Sequence, residues 1–178
     1  VYLLMGEEPY FIDRLGDLLA ASILNESERA FNQTVVYGKD TEGAAVVNLC
    51  RQMPMMGGKM VVIVKEAQQL KKLEQLSSYT QNPQESTVLV VCHKGKNVDK
   101  RIPLYKSVRD KGVVFESVPP RDYEIGSWPG DFVRSKGLSM DTKGSSMLVV
   151  HLGADITKIA NELDKLVTSL PQGTTTVT

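Results

Sequence analysis

Gly6, in the opening stretch VYLLMGEEPYFIDRL, stands where a nucleotide-binding domain carries its phosphate loop, between a first apolar run and a helix with an acidic start. A working loop reads G-x-x-x-x-G-K-[ST]: backbone amides cradle the phosphates, the lysine reaches the β- and γ-phosphates, and the hydroxyl holds magnesium. Counted from Gly6, the last three places hold Phe11, Ile12 and Asp13, so second glycine, lysine and hydroxyl are all missing. A second station follows the third apolar run, where an Asp-Glu pair would hold magnesium and orient the attacking water. After MVVIV the chain gives KEAQ, and Lys65 puts a cation where a metal-binding carboxylate belongs. His93 and His151 lack Cys or His partners at ligand spacing, so neither a metal nor a cofactor is expected. Cys50 and Cys92 lie in apolar surroundings and read as buried, reduced thiols.

The elements that would position these residues come from hydrophobic periodicity. Val1–Met5 is followed by QTVVYG (33–38), MVVIVK (60–65), TVLVVC (87–92) and VVFESV (113–118). Continuous Val/Ile/Leu runs of this kind are the pattern of parallel strands covered on both faces. Helices are expected between them. The first spans about 8–24, with Phe11, Ile12, Leu15, Leu18, Leu19 and Ile23 inward. Others follow Thr41 through Gln52, over 70–79 with Leu73 and Leu76 inward, and over 100–111 with Leu104 and Val108 inward. Strand–helix alternation predicts a five-stranded α/β domain over 1–118 with right-handed crossovers. Pro119 and Pro120 mark a boundary. Beyond it, three helices over 119–178 are expected, at about 127–136 with Pro129 in the first turn, at 139–152 closed by Gly153, and at 155–170.

Composition narrows the class. The 178 residues suffice for one or two domains with a real core. Lys plus Arg balance Asp plus Glu at 21 each, so no global charge draws nucleic acid, and any basic surface is local. No apolar run approaches the ~20 residues of a membrane span, and no secretory leader is visible; a cytoplasmic address without membrane contact is the expectation. The chain opens directly on a strand and closes on GTTTVT, which reads as a fragment cut from a longer protein.

An α/β domain followed by a small helical lid is the layout of the AAA+ ATPases. Their third station is an arginine early in the last lid helix, and that place holds Thr157, beside Lys158. With all three stations lost, ATP hydrolysis is not expected. Pattern alone leaves two other readings open, an AAA+ ATPase with an atypical nucleotide site and a receiver-like or flavodoxin-like domain. The receiver reading needs an acidic cluster at strand ends, which Asp40, Glu66 and Asp99 make poorly.

Specific stretches carry a family resemblance: YLLMGEEPYFIDR, FNQTVVYGKDT, MPMMGGKMVVIVKEAQQLKKLEQLSSY, NPQESTVLVVCHKGKNVDKRIPLYK and, in the helical part, FVRSKGLSMDTKGSSMLVVHLGADITKIANELDKL. In order and spacing they resemble the delta subunit of the bacterial DNA polymerase III clamp loader. The resemblance implies an AAA+-like parallel sheet in the order 5-1-4-3-2, a degenerate nucleotide site over 1–118, a lid over 119–178, and a C-terminal helical collar that this chain lacks. It implies a non-catalytic subunit that grips the sliding clamp (the beta subunit) and opens its interface for loading onto primed DNA. It also implies assembly with ATPase and delta-prime-like subunits. SWPGDFV departs from the family's unbroken first lid helix, which suggests a short helix there.

The same resemblance places the clamp grip in RQMPMMGGKM, with Met55 and Met56 after Pro54. Methionine is unbranched and polarizable and fills irregular pockets well, and Pro54 with Gly57–Gly58 would present the pair on a turn. The competing reading makes both methionines core. The family more often has Leu-Phe here, which bears on affinity. HKGKNVDKR gathers His93, Lys94, Lys96, Lys100 and Arg101 on the loop after strand four, at the carboxyl edge of a parallel sheet. Contact of Lys94, Lys96, Lys100 and Arg101 with a DNA backbone is one reading, and a solvated loop is the favoured one.

Overall fold

The apolar runs become strands because Val, Ile and Leu suit a pleated surface buried on both faces. In the structure, a computed structural model that describes residues 1–55, 58–171 and 173–177, they form β1 (Tyr2–Gly6), β2 (Gln33–Tyr37), β3 (Met60–Lys65), β4 (Thr87–Lys94) and β5 (Val113–Ser117). All pair in parallel, in the order β2-β3-β4-β1-β5. This is the expected 5-1-4-3-2 order, and it excludes the receiver-like 2-1-3-4-5. The chain divides into two compact units, Val1–Val118 and Pro119–Thr178.

Successive strand residues point to opposite faces, so β1, β3 and β4 each feed two cores. Leu4, Val61, Ile63, Val90 and Cys92 pack under α1 (Pro9–Ile23), which buries Ile12, Gly16 and Ala20 four residues apart. A side chain at Gly16 would come within 3.2 Å of the Cys92 sulfur, so the glycine sets the helix-to-sheet distance. Leu18, expected inward, points to solvent. After α1 comes a helix the periodicity did not reveal, α2 (Glu26–Asn32). Its signal was there: Asn25 and Glu28 form a reciprocal capping box.

On the opposite face, Leu3, Met5, Val62, Val64, Leu89 and Val91 meet α3 (Gly43–Cys50) and, further along the chain, Leu76 and Tyr79. The continuous helix expected over 70–79 is instead a 3₁₀ turn at Leu73–Leu76 running into the single-turn α4 (Ser77–Thr80). Lys72 adopts a left-handed conformation, φ 57°, which stops a helix from starting earlier. Helix α5 (Pro103–Lys111) begins three residues later than expected, because a proline favours the first helical position and keeps its predecessor extended. Leu104 and Val108 are buried as expected.

In the second unit, α6 spans Asp122–Ser135, longer than expected, with Pro129 in its interior instead of its first turn. Its start is closed by the Glu124 carboxylate, which accepts from the Arg121 amide at 2.7 Å. Ile125, Pro129 and Val133 share the buried face, so packing offsets the backbone bond the proline removes. Asp141 and Asp155 cap α7 (Thr142–Leu152) and α8 (Ile156–Ser169). Ser139 and Met140, expected to be helical, form a strand, β6, that pairs in parallel with β7 (Thr176–Val177).

Candidate functional site

Gly6 is fixed by packing. With φ 138°, any Cβ there would fall 1.9 Å from the Ser117 carbonyl oxygen, and the Glu7 amide donates to that same oxygen at 2.9 Å. The start of α1, which in a nucleotide site offers amides to phosphate, is already used. Pro9 has no N–H, and the Glu8 carboxylate accepts from the Tyr10 amide at 3.0 Å. A carboxylate thus occupies the anion position.

Beyond it, ion pairs fill the ends of β3 and β4. The Lys94 ammonium lies 2.7 Å from Asp13 Oδ2 and 2.6 Å from Glu66 Oε1. Gln68 donates to Glu66 and accepts from the Lys94 amide at 3.0 Å. Lys65, at the place of the metal-binding carboxylate, pairs with Asp17 at 3.1 Å. Burial works against the Lys94 charge, but its bonds to Asp13 and Glu66 outweigh this and raise its pKa. The bond from Lys94 holds Glu66 below the ordinary carboxylate range. Burial likewise opposes the Lys65 charge, and Asp17 overrides it. Internal charge pairs fill the station, with Asp13 Oδ1 buried beside them without a hydrogen-bond partner among the described residues. Among the described residues no group of three or more His, Cys, Asp or Glu side chains is placed to hold a metal. On α8, Thr157 is exposed and Lys158 pairs with Asp155 at 3.3 Å.

The second candidate lies between α3 and β3. Met55 is 77% exposed and Met53 76%, while Pro54 is half-buried. The core reading therefore fails for Met55; Met56 and Gly57 lie outside the described residues. The Met55 amide donates to the buried Asn32 Oδ1 at 2.8 Å, tying the segment to the end of α2.

The basic run after strand four does not act as one patch. β4 extends through Lys94, so His93 and Lys94 are strand residues. His93 is buried, its Nδ1 bonds the Lys96 carbonyl at 2.9 Å, and burial lowers its pKa. Lys100 pairs with Glu116 at 3.1 Å, and Arg101 with Asp99 at 2.8 Å. The Arg101 bond holds the Asp99 carboxyl down to about 2. Lys96 is exposed.

A family model described as DNA polymerase III, delta subunit, matches residues 2–118. The chain belongs to this family. A Bacillus subtilis (strain 168) DNA polymerase III subunit delta is 24% identical over 178 residues, covering 94% of this chain and 51% of that protein. In three dimensions the chain resembles the Bacillus subtilis DNA clamp loader delta protein, with a TM-score of 0.74 at 20% identity over 99% of this chain and 55% of that one. It also resembles the Thermotoga maritima RuvB Holliday junction branch migration motor, with a TM-score of 0.58 at 15% identity over 94% of this chain and 54% of that one. The chain thus spans about half the length of the relatives it matches.

For this delta-family chain, sequence reasoning noticed Asp13 and Lys65 only as losses from a nucleotide site, and Glu66 also as a poor member of a receiver-type acidic cluster. Their partners, Asp17, Gln68 and Lys94, it missed or read otherwise. Asp13 and Asp17 are four residues apart on α1, hence on one helical face, which was the available signal. Asn32 carried no signal, because its partner is a backbone amide 23 residues away.

Proposed function

We propose that this chain is the clamp-gripping part of a non-catalytic clamp-loader subunit of DNA polymerase III. Its exposed Met55, bracketed by Pro54 and Gly58, inserts with Met56 into an apolar pocket on the sliding clamp and holds one clamp interface open. The observation that carries this reading is a large apolar side chain, 77% exposed, in the segment where the resemblance puts the grip. An exposed methionine forfeits burial within its own fold, and a partner's pocket recovers it.

The filled nucleotide station supports a subunit that neither binds nor hydrolyses ATP and leaves that work to ATPase subunits beside it. The AAA+-like sheet supports assembly next to those and to delta-prime-like subunits, and membership of the DNA polymerase III delta family supports work on primed DNA in the cytoplasm. Of the basic residues proposed to meet the DNA backbone, Lys96 is exposed. Lys94, Lys100 and Arg101 would first have to leave the carboxylates they pair with.

The test is a double variant, Met55→Ala with Met56→Ala, assayed for clamp affinity and for melting. Clamp binding should weaken by roughly 2–4 kcal/mol, as for a buried interface anchor. Stability should stay within about 0.5 kcal/mol, as for surface changes. Unchanged clamp affinity in a folded variant would overturn the reading.

A further inference from the structure

We infer that Asn32 is the positioning residue for the grip: its side-chain oxygen holds the Met55 backbone so that the methionine is presented to the clamp already ordered. The inference rests on the reading of Met55 as a clamp anchor. Residues 51–59 join α3 to β3, with Pro54 in their middle. Proline has no N–H, so the first backbone donor after it is the Met55 amide, and that donor meets Asn32 Oδ1 at 2.8 Å. Asn32 is 1% exposed. The acceptor of this part-buried bond is thus sheltered from water, which strengthens and fixes the bond relative to one made wholly on an open loop.

The acceptor is itself held by a short rigid corner. Asn25 and Glu28 lock the start of α2. Arg29 donates to the Leu24 carbonyl at 3.3 Å and to the Ala21 carbonyl at 3.2 Å, tying α2 to the end of α1. From the α1 face of the sheet to the exposed methionine, each step is a packed core or a hydrogen bond. What this achieves is preorganisation: a loop ordered before binding does not lose that freedom when the clamp closes on it. Asn32 touches no clamp residue in this account and acts through Met55.

Three single variants decide the matter: Asn32→Ala, Asn32→Asp and Met55→Ala. Each is measured for clamp affinity, for melting temperature, and for hydrogen exchange of the Met55 amide. A net hydrogen bond corresponds to roughly a three- to tenfold change in an equilibrium constant, so Asn32→Ala should weaken clamp binding by about that factor. Met55 amide exchange should become about tenfold faster while amides of β1 and β3 keep their protection. Asn32→Asp keeps an acceptor oxygen in place; burying its carboxylate should lower the melting temperature, but slow exchange and affinity should return in the folded variant. If Met55→Ala loses the clamp while Asn32→Ala binds normally, the positioning role is wrong and the clamp reading stands. If folded Asn32→Asp fails as badly as Asn32→Ala in exchange and affinity, Asn32 is only a structural residue and the inference falls. If Met55→Ala itself binds normally, the clamp reading falls and takes the inference with it.

Discussion

Replacing Lys94 by Met removes one ammonium and leaves Asp13 and Glu66 facing each other across the ends of β3 and β4. The size of the effect follows from burial. Exposed ion pairs contribute about 0–1 kcal/mol, whereas breaking a buried pair costs about 3–5 kcal/mol. The Lys94 side chain is 16% exposed and its partners 39% and 30%, so the site lies between these limits and about 2 kcal/mol is expected. For a domain of this size that lowers the melting temperature by about 6–10 °C. Glu66 has its pKa lowered from 4.5, chiefly by its bond from Lys94. Its share of stability is therefore present above pH 4.5 and lost as pH falls through the lowered value. Burial pulls the Lys94 pKa down, but its carboxylate partners bring it above 10.5, so its share is present below pH 10.5 and lost as pH rises past the raised value. The gap between wild type and Lys94→Met should accordingly be widest between about pH 5 and pH 10 and close in stronger acid. Thermal melts across that range measure it. Adding Glu66→Gln to Lys94→Met should cost less than the sum of the single changes, because the two residues share one interaction. Equal melting temperatures at pH 7, or a gap undiminished in acid, would refute the account.

Gly6→Ala should cost more than about 3 kcal/mol in a urea titration, because its Cβ would lie 1.9 Å from the Ser117 oxygen at a φ that side chains avoid; wild-type stability would show that the crossing is not tight. ATP with magnesium should leave the melting temperature unchanged, and a rise equivalent to about 1 kcal/mol or more of linkage would contradict the closed ion-pair station. Burial pushes the thiols of Cys50 and Cys92 up to about 12, so a thiol reagent at pH 8 should label them only after denaturation; prompt labelling of folded protein would be the contrary result.

How much of this was legible depended on the range of the interaction. The strands were legible because runs such as MVVIVK announce a strand buried on both faces, whereas their order came from the family resemblance, since strand–helix alternation alone left the receiver-like order open. Helix α2 escaped because ESERAFN carries no apolar stripe; only its capping box marked it. The 70–79 segment misled because Leu73, Leu76 and Tyr79 have helical spacing, while the left-handed Lys72 that breaks the element leaves no composition signal. Pro129 misled in the other direction. A proline normally ends a helix, yet here it sits on a buried face among Ile125 and Val133. Met55 was a candidate because the family resemblance places the grip there, with Pro54 and Gly57–Gly58 bracketing it in sequence, but its exposure is a tertiary fact that no local pattern carries.

The station at the strand ends differs from a working phosphate loop in what its charged groups face. A phosphate loop works by leaving amides and a cation free to meet an anion. Here the same locations hold carboxylates at Glu8, Asp13 and Glu66 and two lysines that already have partners. A nucleotide entering would have to break the Lys94 pairs and then sit against the released carboxylates, so each step is unfavourable before any contact with phosphate is gained. The strand ends that nucleotide and magnesium would otherwise bridge are instead bridged from within, Lys94 joining the end of β4 to α1 through Asp13 and to the turn after β3 through Glu66. Gly6 is held by close packing and the strand ends by ion pairs, so contacts within the chain itself bind together the elements around this station.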